Sequence, residues 1–159
     1  MQIIKSLLAA TLLVVGAVSA SAQSVPNYAG TWELNAAKSN FGQFPPPGRM
    51  TITVEQTATN IKTTQVMSSP QGDFTTNVDF SLDGKPTSGT GMGGATTSTT
   101  AKLDATGLTA NTKMTMQGGE MSQTAKWLLS ADGKTLTIDQ GMTSQMGEMS
   151  FHIVFDKKP

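Results

Sequence analysis

The chain has 159 residues, the size of one domain, and balances eleven basic against eleven acidic side chains with no cysteine. That balance leaves no basic face to hold nucleic acid or an anionic membrane surface. The lack of cysteine removes disulfides, thiol nucleophiles and lipid attachment at an N-terminal cysteine, so a packed core alone must hold the fold.

Residues 1–22 read as a cleavable export signal. Lys5 precedes the apolar run LLAATLLVVGAVSA, and Ala20-Ser21-Ala22 supplies small residues for a cut after Ala22. A membrane-spanning helix needs about 20 apolar residues, and this run is shorter. Residues 23–159 are then the mature domain, with no second long apolar run. The expected product is periplasmic or secreted, soluble, and not inserted into a membrane.

The mature part is rich in Thr, Gly, Ser and Met. Threonine is stiff at χ1 and suits a half-exposed pleated surface. No 12-residue window carries a 3.6 period, whereas period-two alternation recurs. Strands are predicted at 31–35, 49–57, 60–68, 73–82, 95–104, 107–117, 120–130, 134–140 and 148–156. Met50, Ile52 and Val54 alternate with Thr51, Thr53 and Glu55; Phe74, Val78, Phe80 and Leu82 oppose Thr75, Asn77, Asp79 and Ser81. Leu108, Ala110, Met114 and Met116 share a face, and so do Phe151, Ile153 and Phe155. Such stretches are antiparallel strands with one wet side. LDGKP (82–86), DATG (104–107), QGG (117–119) and ADGK (131–134) supply hairpin turns.

FGQFPPPGRM (41–50) interrupts the pattern early. Its prolines fix φ and lack amide donors, which makes an extended connection. It reads first as a plug packed across one end, and second as a lid over a mouth. A meander this long has edges that closure removes. The expected fold is all-β: an antiparallel up-and-down meander of eight to nine strands closed into a barrel. An eight-stranded interior is filled by side chains or holds one small ligand.

Catalytic patterns are absent. Gly89-Thr90-Gly91-Met92-Gly93-Gly94 contains a Gly-x-Gly-x-x-Gly, but ATTSTTAKL follows it where a dinucleotide site needs a helix, so it reads as a hairpin loop. His152 is the only histidine, falls on the face opposite Phe151 and Ile153, and has no Gly-x-Ser-x-Gly beside it. The carboxylates scatter over turns and outward faces. No enzyme activity and no cofactor are expected. An integral outer-membrane barrel is disfavoured, because aromatics are few and the outer face is threonine and charge.

Methionine is in excess. Met142, Met146 and Met149 precede His152, and Met114, Met116 and Met121 flank a Gly-Gly turn. Thioethers are soft ligands for Cu(I). They are also adaptable fillers of cores and apolar sites, and this second reading is preferred. The copper set would be Met142, Met146, Met149 and His152.

Gly30-Thr31-Trp32 resembles the Gly-x-Trp signature that opens the first strand of lipocalins and other calycins. The longer pattern GTW-x-LN-x-x-KS-x-FG, with WLLSADGKTLTIDQ and a closing FHIVFDKK, is similar to small exported bacterial lipocalin-like β-barrel proteins. The resemblance implies that Gly30 and Trp32 are structural, with Trp32 capping the closed end. It also implies an arginine from the last strand over that indole. The only arginine is Arg49, and Lys157 and Lys158 near the last strand lack its planar fork.

The resulting expectation is a small hydrophobic ligand in the barrel interior. Its lining would come from Ile52, Val54, Phe74, Val78, Phe80, Met114, Met116, Trp127, Phe151 and Ile153. A structural or interaction module of the cell envelope with a filled core is the alternative, and a methionine-based Cu(I) protein the lesser one.

Overall fold

The computed structural model describes residues 25–69, 72–91, 94–116 and 119–159. The export signal expected at 1–22 lies outside them. Ten strands stand among the described residues: β1 (Gly30–Leu34), β2 (Arg49–Gln56), β3 (Asn60–Ser69), β4 (Gly72–Ser81), β5 (Thr87–Thr90), β6 (Thr96–Asp104), β7 (Gly107–Met116), β8 (Gly119–Leu129), β9 (Thr135–Ser144) and β10 (Gly147–Lys157). They form one antiparallel sheet in the order β4-β3-β2-β1-β10-β9-β8-β7-β6-β5. Pairing of β1 with β10 curls the sheet into a nearly closed barrel. Its seam lies between β4 and β5, where the Ser81 amide donates to Thr87 Oγ1 at 3.2 Å.

The count of ten corrects the expected eight to nine. The added strand is β5, inside a Gly-rich stretch whose composition reads as loop. It is a strand because β6 satisfies its backbone from Thr87↔Thr99 to Thr90↔Thr96. Met92 and Gly93, in the tip that follows, lie outside the described residues. Strand β9 also runs past the predicted 140, because β8 and β10 both keep pairing beyond Gly141.

The inner face changes character along the barrel. At one end Tyr28, Trp32, Ile61, Leu108, Leu136 and Phe155 are almost completely buried. Trp127 lies edge-on to Tyr28 and to Phe80, with centroids 5.7 and 5.9 Å apart. Small and polar residues occupy the middle inner positions, among them Thr63, Thr99, Ala101, Ala110 and Ala125. Toward the other end methionines face one another across the strands as Met50↔Met67, Met114↔Met121 and Met142↔Met149. The methionine excess therefore lines the open half of the barrel.

Hairpins at the packed end are held by short aspartates. Asp104 Oδ1 accepts from the Thr106 amide and hydroxyl at 2.9 and 2.6 Å, and Asp83 Oδ1 from Ser81 Oγ and the Lys85 amide at 2.6 and 2.9 Å. These bonds, with Ser81 and Thr106 contributing most, lower both carboxyl groups to about 2. A depressed carboxylate stabilises the fold above its unfolded pKa, and that contribution is lost as pH falls through the folded value. NMR titration should give midpoints near 2 for both. A midpoint close to that of a free aspartate at Asp104 would show that the Thr106 bonds do not persist in solution.

Candidate functional site

The packed end is built around Tyr28, which precedes β1. Its hydroxyl donates to the Trp127 carbonyl at 2.9 Å and accepts from the Leu108 amide at 3.1 Å. Burial pushes the phenol above its ordinary pKa, so it remains a donor. Its carbonyl accepts from Trp32 Nε1 at 2.8 Å. Trp32 is thus completely buried at the packed end, where the resemblance implies a structural role. The cation over its ring differs: Lys157 Nζ lies 5.2 Å from the centroid, while Arg49 sits on the outer face against Glu33 at 3.5 Å. A point charge suffices for the ring quadrupole even without a planar fork.

The LN-x-x-KS-x-FG residues have a positional task. Leu34 ends β1, and the chain then follows the upper part of β10 through Asn35, Ser39 and Asn40. The Asn35 amide donates to Val154 O at 2.8 Å, and Asn40 and His152 exchange backbone bonds of 2.7 and 2.9 Å. The Val154 amide donates to Ser39 Oγ at 2.9 Å. Asn35 Oδ1 accepts from the Lys38 amide and caps the 3₁₀ turn Ala36–Lys38. This path delivers Phe41 and the three prolines to the open end.

A cavity of about 940 Å³ opens there. Its walls are Met50 and Ile52 of β2, Gln65, Met67 and Ser68 of β3, Ile138, Gln140 and Met142 of β9, and Phe151, Ile153 and Phe155 of β10. Phe41 and Pro45 to Gly48 complete it. The proline segment thus borders the cavity. Phe44 stands half exposed with its ring 6.2 Å from that of Phe151.

Of the expected lining residues, Ile52, Phe151 and Ile153 border this cavity. Val54, Phe80 and Trp127 face inward but are buried in the packed end. Val78 packs against that core from the side. Phe74 and Met116 lie nearer the open rim, 49% and 44% exposed. Met114, opposite Met121, is half-buried on the far wall. Alternation tells inside from outside but not height along the barrel, so it does not separate these seven from the three that border the cavity. Gln65 and Gln140 were missed because their polarity hides two inward positions; their alternation with Thr64, Val66, Asp139 and Gly141 was the available signal.

The four residues considered for copper do not converge. Met142 and Met149 oppose each other on the inner face, Met146 is 91% exposed in the turn between β9 and β10, and His152 lies on the outer wall. His152 Nδ1 is 2.6 Å from Asp139 Oδ1. Both are half exposed, so the pair contributes about 0–1 kcal/mol. No hydroxyl among the described residues bonds the other ring nitrogen, and no cluster of metal-ligating His, Cys, Asp or Glu occurs among them.

No family model and no curated protein matches the chain. Solved structures do. Lipid binding protein 8 of Caenorhabditis elegans superposes with a TM-score of 0.62 at 10% identity, covering 82% of this chain and 95% of that one. The zebrafish ileal bile acid-binding protein, solved with cholic acid, gives 0.57 at 15% identity over 82% and 98%. A secretory abundant heat soluble protein of Ramazzottius varieornatus gives 0.60 at 11% identity over 87% and 100%. At these identities the likeness establishes a shared architecture: this chain has the same antiparallel β-barrel fold as these small proteins.

Proposed function

We propose that the protein is a carrier that binds a small apolar molecule in the cavity at the open end of its barrel. The observation that supports this reading is the cavity itself. At about 940 Å³ it falls within the range of small-molecule sites, and its walls are mostly Met, Ile, Phe and Pro. Methionine adapts its shape to a ligand, and Met50, Met67 and Met142 stand together on these walls. The fold is shared with a lipid binding protein and a cholic acid complex. The packed half is the scaffold, and Pro45–Pro47 form a stiff border to the entrance. Export through residues 1–22 is part of the proposal, with the barrel working outside the cytoplasm.

Native mass spectrometry of protein recovered from an exporting host reads both parts: a chain beginning at Gln23, and an added organic mass lost on denaturation. In vitro, the neutral dye N-phenyl-1-naphthylamine should bind with enhanced fluorescence, and Met142→Trp, which puts an indole into the cavity and narrows it, should weaken it at least about tenfold (about 1.4 kcal/mol). A folded wild-type protein that binds neither dye nor host lipid extract would overturn the reading in favour of a packed envelope module.

A further inference from the structure

The distribution of charge narrows the ligand further, given the apolar-ligand reading on which this rests. Every charged strand residue among the described ones takes an outward position, with one exception. Arg49, Glu55, Lys62, Asp79, Lys113, Lys126 and Asp139 all alternate with inward neighbours. The exception, Lys157, lies over Trp32 at the packed end, away from the mouth. Arg49, next in the chain to cavity residue Gly48, points out and pairs with Glu33.

The polar side chains on the cavity wall are Gln65, Ser68 and Gln140, all neutral. Gln65 is inward on β3, opposite Ile52, and Gln140 inward on β9, opposite Phe151. No described residue hydrogen-bonds either side-chain amide. Each therefore offers two N–H donors and a carbonyl acceptor to whatever enters. A hydroxyl, ester or ketone is satisfied by such a group. A carboxylate is not neutralised by it, and burying an unpaired charge costs far more than burying a hydrogen-bonded neutral group.

We infer that the cavity takes uncharged ligands carrying one or two hydrogen-bonding groups, such as long-chain alcohols, esters or ketones, and discriminates against the carboxylates of the same chain length. Gln65 and Gln140 are the selecting residues. The class differs from the cholic acid of the zebrafish neighbour.

The test is displacement of N-phenyl-1-naphthylamine at pH 8 by oleyl alcohol, methyl oleate and oleate, each below its aggregation limit. The alcohol and ester should bind at least about tenfold tighter than oleate (about 1.4 kcal/mol). In the Gln65→Leu, Gln140→Leu double variant the ratio of alcohol to dye affinity should fall severalfold, whatever the change in dye affinity itself. Gln140→Arg should raise oleate affinity severalfold. Oleate binding as tightly as the alcohol, with its head at the mouth or inside, would overturn the inference while leaving the apolar carrier intact. Failure of the wild type to bind the dye or any of the three would overturn both.

Discussion

Trp32→Ala is expected to remove most of the stability of the domain. Trp32 is completely buried, and its indole nitrogen satisfies the Tyr28 carbonyl at 2.8 Å. Truncating a buried Trp to Ala costs about 3–5 kcal/mol through lost burial and the cavity left behind. Stranding the carbonyl adds about 1–3 kcal/mol. The sum is comparable with a whole domain's stability of about 5–15 kcal/mol. The variant should show either no cooperative thermal transition or a Tm lowered by about 15 °C or more. Trp32→Phe keeps much of the packing but not the donor and should fall between. A Tm loss of only a few degrees in Trp32→Ala would show that the closed end does not depend on this side chain.

Gly107→Ala should be nearly as damaging, though it adds a single methyl. Gly107 opens β7 at φ +130°, a conformation that side-chain-bearing residues rarely adopt. A Cβ there would sit 2.2 Å from the Trp127 carbonyl oxygen, which is backbone and cannot rotate aside. That oxygen is also the acceptor of the Tyr28 hydroxyl, and the next amide, Leu108, donates to the same hydroxyl. Strained backbone and overpacking each cost about 1–3 kcal/mol, and here they act together on one junction. Thermal unfolding should show a Tm lower by about 10 °C or more. Gly133→Ala is the control: φ is also positive there, but a Cβ would meet nothing within 4 Å. Equal losses in the two variants would mean that backbone preference alone sets the cost.

Much of the architecture was legible because a one-side-wet strand announces itself. Met50, Ile52 and Val54, or Phe151, Ile153 and Phe155, give the inner face directly. Strand β5 was not legible, since its Thr-Ser-Gly-Thr is only four residues long and carries no apolar alternation, and it is fixed by its ladder with β6. Tyr28 escaped notice for another reason. It lies outside any alternating run, and its partners are 80 and 99 residues away in the chain. The site was half legible for a third reason. Val54 and Ile52 are equivalent in a period of two, but one is packed away and the other borders the cavity. Only strand register against the packed end separates them. The cation over Trp32 shows the limit of expecting one residue type, since Lys157 meets the ring from the position where an arginine was sought.

The order of the sheet has a consequence for how the molecule assembles. Every ladder but one joins strands that follow each other in the chain, and all of these except β1 with β2 form by closing a short turn. The exception is β1 with β10, where Trp32↔Lys157, Glu33↔Asp156 and Leu34↔Phe155 unite the two ends of the domain. Loop-closure entropy grows with the length of chain enclosed, so among the ladders the largest closure cost falls on these three pairs and the bonds that extend them. Asn35 to Val154, Asn40 to His152 and Lys158 to Thr31 are those extensions. The Gly-Thr-Trp stretch and the asparagines after it act as a clasp, by which a linear run of hairpins becomes a vessel.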